Sequence, residues 1–505
     1  MDPGRLHVIR LQVATTEWDR LRQERNPVLR ALGPQRTNSS RRRAYQNHPG
    51  TVAFGPDGPA LPVTVRKKGF IGSVSSTRPS LNLLFRGAAA PGPLAGFRKL
   101  TLNNNQQDAS ASHQTLVYEL FRAAGVPAPR TALARVEVNG RSLGVYTVVE
   151  PVDDRFLRRH FGDGAGALWE GTLADFRPGW IGTLEPKKEL PPGAADALAE
   201  LTAALALPDD QLLPALEKRL EIDAFLRFWA VEVLVDHWDG YAANGNNFFV
   251  HLDRRTGRFR FLPWGADQCF GLPNPFTARG TPASVRASSQ IARRLYQHPE
   301  TRERYRTVLR QLLDSVWKEE ALLARLDEIG RLTAGEPERE GARRNVRRRT
   351  REFLERRRAA LQRELDGPAP EWKQPPRRAP HLENWGTIEA RFATEYRPRG
   401  PEALAGEPPG EGTLQLVHAG RTNTFPRLAV TAGRSLDPGQ TDQAWVYLLV
   451  MQGLGRVVVP ALGVPRDRFQ PGAVLAVGDA GVDGFLFDGM PGGGGGFGFL
   501  EGELR

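Results

Sequence analysis

The chain has a single cysteine, Cys269, so no disulfide can form within it. That fits a reducing compartment and is equally compatible with export. Uninterrupted apolar runs are missing too. The stretch Tyr447–Val464 is broken by Gln452, Gly453, Gly455, Arg456 and Pro460. It falls short of the roughly 18–20 apolar residues that a membrane helix needs. Met1–Val13 reads as a strand and not as the apolar core of a secretory leader. The expectation is therefore a cytoplasmic protein or a mature exported form whose leader has been removed. No serine nucleophile elbow and no cluster with zinc-ligand spacing occur. His237 and His251 stand apart from any second ligand and read as packing or loop residues. Cys269 reads as a small buried residue.

What is present is a globular composition with many loops. Hydrophobic residues make up 40% of the chain, enough for sizeable cores, and 505 residues imply two or three domains. The net charge of +12 is carried largely by arginine and would suit nucleic acid, nucleotide phosphates or an acidic surface. Its densest run, Arg343–Arg363, reads as a helix with Val346, Phe353, Leu361 and Leu365 near one face. Glu352, Glu355 and Glu364 are interspersed at pairing distance. A docked amphipathic helix with a solvated face is expected there. A nucleic-acid site is not, because only Phe353 interrupts the basic stripe.

Leu6–Val13 and Pro62–Arg66 read as strands, with a short helix from Thr16 to Arg25 between them and Pro- and Gly-rich loops through Gly96. Leu116–Ala124 reads as a helix stopped by Gly125 and Pro127. Strands Ala132–Val138 and Leu143–Glu150 are joined by Asn139-Gly140, whose tolerance of positive φ marks a tight hairpin. Leu212–Trp238 is the most convincing helical region, with Asp223 capping its second half. A second hairpin, Phe248–Leu252 and Arg258–Leu262, follows, and helices fill most of 285–366. Residues 367–411, rich in Pro, Gly, Arg and Glu, read as a linker. From Gly412 onward short strands and turns suggest a small all-β sandwich or barrel. Gly492–Gly496 lacks the Lys-Ser/Thr and the helix of a phosphate loop and reads as a turn. The expected fold class is α+β over 1–366, a linker over 367–411, and a β-rich domain over 412–505.

The chemically informative segment is Val235–Gly271. Phosphoryl transfer needs a carboxylate to orient the attacking hydroxyl, and oxygen ligands for a Mg²⁺ that bridges nucleotide phosphates. Here Asp239 follows a helix, and Asn244, Asn246 and Asn247 follow in a glycine-containing loop. The hairpin intervenes, and Asp267 lies beyond it with Phe270-Gly271 close behind. The order helix, Asp, Asn, strand, strand, Asp suits that chemistry. Piece by piece, the Asn run is equally what a turn would use, and Asp267 what a cap would use.

A set of ordered motifs resembles the CotH-type family of atypical spore-coat protein kinases over roughly 1–366. Phe97-Arg98-Lys99-Leu100 through Asp108 is similar to its strand-and-Asp segment, and Leu116–Pro127 to its short helix ending in Gly-x-Pro. Val138-Asn139-Gly140, Gly144-Val145-Tyr146 and Val149-Glu150 resemble its Asn-Gly, Gly-x-Tyr and Glu elements. Asn247-Phe248-Phe249 resembles its Asn-Tyr-aromatic strand start. Pro263-Trp264-Gly265-Ala266-Asp267 with Phe270-Gly271 resembles its Trp-Asp-x-Asp and Phe-Gly element. The resemblance implies a kinase-like fold, ATP and Mg²⁺ as cofactors, and a protein substrate bearing Ser or Thr.

It also implies site roles: Asp239 catalytic, Asn247 or else Asn244 a metal ligand, and Asp267 the holder of Mg²⁺. Glu150 would lie at a nucleotide edge or hinge or be a strand-end charge, and Lys99 would reach phosphates or lie on the surface. Two departures stand out. Gly265 replaces the first Asp of the Trp-Asp-x-Asp element, and Arg78-Pro79 stands where the family carries Lys-Pro or Lys-Lys. Arg neutralises phosphate without supplying a compact point charge. Either departure points to the alternative of a non-catalytic coat or surface-assembly protein that binds nucleotide or protein partners.

Limited proteolysis is expected to cut within 367–411 and leave two folded pieces. One protected core with no cut in that span would contradict the boundary.

Overall fold

In the strand Leu6–Val13 (β1), Ile9, Leu11 and Val13 are buried while Arg10 and Gln12 are not, the period of two that puts one face on a core. Six further strands are His48–Phe54 (β2), Leu61–Lys68 (β3), Ser80–Phe85 (β4), Lys99–Asn103 (β5), Thr131–Val138 (β6) and Arg141–Val149 (β7); the alternation returns at Ala134–Val138, whereas β7 is buried on both faces from Leu143 to Val149. These seven strands close into a barrel in the order β1-β2-β3-β4-β5-β7-β6. Neighbours are antiparallel except where β1 meets β6 in parallel to shut it. Val63, Val65, Leu81, Leu100 and Leu102 fill the interior.

Parity decides what faces outward. On β3, Val63 and Val65 point in, and so does Lys67 at the barrel's end, where its Nζ donates to the carbonyls of Arg22 and Glu24 at 2.6 and 2.7 Å. Lys68 takes the opposite face. On β5, Leu100 and Leu102 point in, which places Lys99 and Asn103 on that same outer side.

The structure is a computed structural model. It describes residues 2–24, 45–55, 57–69, 73, 75–85, 97–162, 164–272, 280–374 and 376, and the backbone of strands between 381 and 500. Contacts divide the chain into two compact units. One comprises Met1–Glu24, Tyr45–Ser73 and Pro79–Pro376; the other comprises Arg25–Ala44, Val74–Arg78 and Arg377–Arg505. Residues 86–96 and Gly492–Gly495, singled out above as loop and turn, lie outside the described residues, as does most of 377–411.

The first helix, Thr15–Gln23 (α1), begins after Ala14, so Thr16 lies within its first turn and caps nothing. His113–Ala123 (α2) follows the barrel strand β5. The Asp108 carboxylate accepts from the His113 N–H at 2.8 Å and so satisfies one of the open donors at its start. At its end Gly125 takes φ +74°, and the Val126 N–H returns to the Phe121 carbonyl. The Asn139-Gly140 turn has φ of +52° and +80°, the positive pair that a tight hairpin requires. The Asn139 amide also clasps both backbone groups of Val13, pinning that turn to β1.

Beyond the barrel, Asp154–Phe161 (α3) leads to a sheet of Ala167–Gly171 (β8), Leu184–Pro186 (β9), Phe248–Asp253 (β10) and Arg258–Pro263 (β11), ordered β11-β10-β8-β9. Helices Ala194–Ala204 (α4), Asp209–Arg219 (α5), Ile222–Leu234 (α6) and Tyr241–Asn244 (α7) lie between β9 and β10. Gln290–Gln297 (α8), Pro299–Ser315 (α9), Glu319–Leu332 (α10) and Glu340–Leu365 (α11) follow β11. Helix α6 is buried almost all round, as a central core helix must be. Trp229 stacks on Tyr305 with centroids 3.7 Å apart, and its indole N–H donates to the Arg286 carbonyl. No helix among the described residues is long and apolar enough to cross a membrane.

Three expectations are corrected here. The region Leu212–Trp238 is two helices, because Leu220 turns extended and bridges to Phe259 while the Glu221 N–H bonds the Phe259 carbonyl. Asp223 caps nothing; it is exposed and paired with Arg304 at 2.7 Å. The second unit contains a six-stranded sheet and a three-stranded sheet, and its strands begin at His381–Leu382 and Thr387–Phe392, inside the span read as linker. The apolar stretch near Tyr447–Val464 is an antiparallel pair, Gln443–Gln452 with Arg456–Pro465, which accounts for its Gly-rich break.

Helix α11 docks as expected, with Leu361 and Leu365 buried on the expected face and the rest of the stripe shifted. Its buried positions are Arg343, Thr350, Leu354, Arg357, Leu361 and Leu365, while Val346 and Phe353 are half-buried. Arg357 is buried with its guanidinium donating to the carbonyls of Leu234, Val233 and Ala283. Replacing it by leucine leaves buried carbonyls short of donors, so Arg357→Leu should lower unfolding stability by about 3 kcal/mol in urea titration. A change below about 1 kcal/mol would show that water takes the place of the guanidinium.

Candidate active site

The site is built where α6 runs out. After Leu234 the chain turns sharply at Asp236, whose φ is +53°, and Arg286 holds the Asp236 carboxylate at 2.7 Å. Asp239 and Gly240 follow, and then the single turn α7. Glu232, on the last turn of α6, reaches under this loop and accepts from the N–H groups of Tyr241 and Ala242 at 2.7 and 2.8 Å. Burial pushes the Glu232 carboxyl up to about 8, against the pull of those two hydrogen bonds. Burial likewise lowers His237 to about 4, so it packs beneath the loop as a neutral ring.

The asparagines are more than a turn. Asn244 and Asn246 donate to Asp239 Oδ1 at 2.5 and 3.0 Å, and Asn247 donates to Asp239 Oδ2 and to its carbonyl, both at 2.9 Å. Three side-chain amides thus fix one carboxylate. Because Nδ2 of Asn247 is committed to Asp239, its Oδ1 must face the other way.

It faces Gly265. The β10–β11 hairpin leaves the Asn247 end of the sheet and returns to it. Phe248 is opposite Pro263, and the Trp264 N–H donates to the Asn247 carbonyl at 3.1 Å. Gly265 has φ +50°, and a Cβ there would lie closer to Asn247 Oδ1 than real Cβ contacts come. The departure from the family's Asp at this position is therefore matched to where Asn247 sits.

Two residues on, Asp267 shares the cleft with Asp239. Its carboxyl is raised to about 7, first by burial, then by the charges of Asp239 and Asp108, with Lys68 opposing. Its backbone carbonyl accepts from His113 Nδ1 at 2.8 Å, while His113 Nε2 meets Thr350 Oγ1 at 2.9 Å. Helix α2 and helix α11 are thereby joined at the Asp267 loop.

Lys68, which sequence reasoning missed, is the cation that faces Asp267. Its Nζ donates to Asn103 Oδ1 at 2.5 Å, and Asn103 in turn donates to Gln114 of α2 at 2.6 Å. It lies 5.7 Å from the centroid of the Trp264 ring. Burial, then Lys99, lower it to about 8, with Glu170 and Asp267 opposing. The available signal was the pair Lys67-Lys68 itself, a Lys-Lys in an early strand.

Lys99 joins this group and is also lowered to about 8, by burial and then by Lys187, with Glu170 opposing. Lys187 meets Glu170 at 2.5 Å. Arg78 is grouped with the second unit, where its backbone N–H donates to Ser75 Oγ at 3.0 Å. Glu150 follows β7 with its carboxylate engaged by Arg130 at 2.9 Å and by Arg159. Burial raises its pKa, and the hydrogen bonds from Arg159 and Arg130 more than offset that. Cys269 is buried and its thiol is pushed well up by that burial.

The description "CotH kinase protein" fits residues 65–365, more than half of the chain. The chain belongs to the CotH kinase protein family. Inner spore coat protein H of Bacillus subtilis (strain 168) is 24% identical over 239 residues, 45% of this chain and 65% of that protein. Invasin CotH2 of Rhizopus delemar is 26% identical over 188 residues, 34% of this chain and 32% of the invasin. The matched segments span less than two thirds of these CotH relatives. Among solved structures, the Helicobacter pylori proinflammatory kinase CtkA is similar with a TM-score of 0.32 and 10% identity, over 59% of this chain and 94% of that one. The CotH chain described here is a kinase-like protein of mixed α+β fold.

The raised Asp267 carboxyl has a consequence for stability. The unfolded chain releases this proton near 3.8 and the fold near 7, so stability falls as pH rises between them and is level above. Asp267→Asn should therefore be more stable than the wild type at pH 8, by ~2 kcal/mol once the partial openness of the site is allowed for. At pH 3.5 the two should melt alike. Equal melting at both pH values would mean that the carboxyl is not held up.

Proposed function

We propose that the chain is an ATP- and Mg²⁺-dependent atypical protein kinase that phosphorylates a serine or threonine of a protein substrate. The observation that carries this reading is the meeting of Asp239, Asn247 and Asp267 across the β10–β11 hairpin, with Lys68 facing them.

Asp239 is a proton acceptor fixed in orientation by three amides. That is what a residue needs if it is to align an attacking hydroxyl and take its proton. Asn247 Oδ1 and the Asp267 carboxylate receive no side-chain donor among the described residues. One carboxylate and one amide oxygen form the sparse, hard donor set that suits Mg²⁺, which fills its remaining positions with phosphate and water oxygens. When bound with nucleotide, the ion supplies neutralisation of charge on the transferring phosphoryl group. Two carboxyls crowded enough to raise Asp267 also favour a cation between them. Lys68, Lys99 and Lys187 lie around Glu170, with Glu185 also pairing Lys187, and lysines in such a cluster suit nucleotide phosphates. Asn103 and Gln114 hold Lys68 in place through neutral hydrogen bonds.

The test is nucleotide binding and autophosphorylation with and without Mg²⁺. Asp267→Ala should weaken Mg²⁺-dependent ATP binding at least tenfold. Asp239→Ala should bind ATP as the wild type does and lose transfer by a factor of 10² or more. Because Asp267 must lose its proton to hold the ion, Mg²⁺-dependent ATP affinity should rise from pH 6 to pH 8 and level off above about 7. A wild type that binds ATP with Mg²⁺ but phosphorylates no acceptor would favour a non-catalytic binding module. If binding and transfer survive both substitutions, the site is elsewhere.

A further inference from the structure

Helices α10 and α11 leave a groove between them that takes no part in the site above. A cavity of about 370 Å³ opens there, lined by Asp327, Gly330, Arg331, Arg347, Arg348 and Arg351 among others. Two of the four arginines are already neutralised. Arg348 pairs with Glu352 on its own helix at 2.6 Å, and Arg351 pairs with Asp327 across the groove. Arg331 and Arg347 meet no carboxylate among the described residues.

The groove is also built around one of these free cations. Gly330 is buried on α10, where a glycine costs about 1 kcal/mol of helix stability relative to alanine. A Cβ at that position would run into Arg347 Nη1. The missing side chain is thus the seat on which the Arg347 guanidinium lies. The helix carries an unfavourable residue, and what occupies the space is an unneutralised charge in a concavity.

We propose that this groove binds a phosphorylated serine or threonine side chain of a partner protein. A phosphomonoester carries a charge of about −1.5 to −2 at neutral pH, which matches two uncompensated guanidiniums; a carboxylate would leave one unmatched. Arginine forks pair with phosphate oxygens two at a time, and the groove's cations are all arginine. A nucleic-acid strand needs an extended basic track with aromatic faces for stacking, and no aromatic residue lines this cavity. The site does not depend on phosphoryl transfer at Asp239. It would anchor a segment that already carries phosphate, whichever enzyme placed it there.

The experiment is fluorescence polarisation with the full chain and one labelled peptide sequence bearing phosphoserine, serine or glutamate at a single position. The phosphoserine peptide should bind at least tenfold more tightly than either other form, and more weakly as salt is raised. The double variant Arg331→Ala, Arg347→Ala should lose at least tenfold of that affinity. Gly330→Ala, a better helix former, should melt no lower than the wild type yet bind the phosphopeptide at least threefold more weakly. Lys68→Ala should leave phosphopeptide binding unchanged, which separates this groove from the candidate active site. Equal binding of all three peptides, or phosphopeptide affinity untouched by the arginine and glycine variants, overturns the proposal. So does displacement by an RNA oligonucleotide that binds more tightly than the phosphopeptide, which would make the face a general polyanion surface.

Discussion

The organisation of the candidate site hangs on the grip of three asparagine amides on the Asp239 carboxylate. That grip turns Asn247 so that its carbonyl oxygen faces Gly265, and it requires Gly265 to have no side chain. It also rests on a buried support, since Glu232 holds the N–H groups immediately after Gly240. Burial of the Glu232 carboxyl is costly, and the two backbone donors offset that cost only in part. The Asp239 loop, the β10–β11 hairpin and Gly265 are therefore interlocked and not three independent features.

Around this centre, helix α2 acts as a strut. His113 at its start bonds the Asp267 carbonyl and Thr350 of α11, and Gln114 beside it steadies Asn103 and through it Lys68. Both sides of the cleft, the cation from the barrel and the acid from the hairpin loop, are thus referred to one short helix. Its own start is fixed by Asp108, which also contributes negative charge near Asp267. The side chains that shape the electrostatics are in this way those that hold the backbone.

Much of this was legible in the sequence wherever the determinant was local. The Asn139-Gly140 hairpin, the Gly125 stop of α2 and the β10–β11 hairpin rest on turn chemistry and alternation within a few residues. So did the proximity of Asp239 to Asp267, because a hairpin brings its two flanks together. What escaped was set by distant partners. Lys68 faces the cleft only because the barrel closes and gives β3 an inside and an outside. Arg357 looks like one more solvated arginine until the carbonyls of Val233, Leu234 and Ala283 converge on it. The break after Arg219 depends on Phe259, nearly forty residues later, which draws Leu220 into a bridge.

The parallel pairing of β1 with β6 bears on how the chain is made. Leu6 through Leu11 lie against Leu133 through Val138, so β1 has one partner that is not synthesised until well over a hundred residues later. Its other edge pairs with β2 early, but the edge that β6 will take stays open until then, an unsatisfied row of N–H and C=O groups. The barrel cannot be closed strand by strand in chain order; β6 must pair back to β1, and β7 then fits between β5 and β6. Closure is therefore a late, long-range and slow event. A nascent chain stalled before β6 would present an adhesive strand edge that the finished protein does not have.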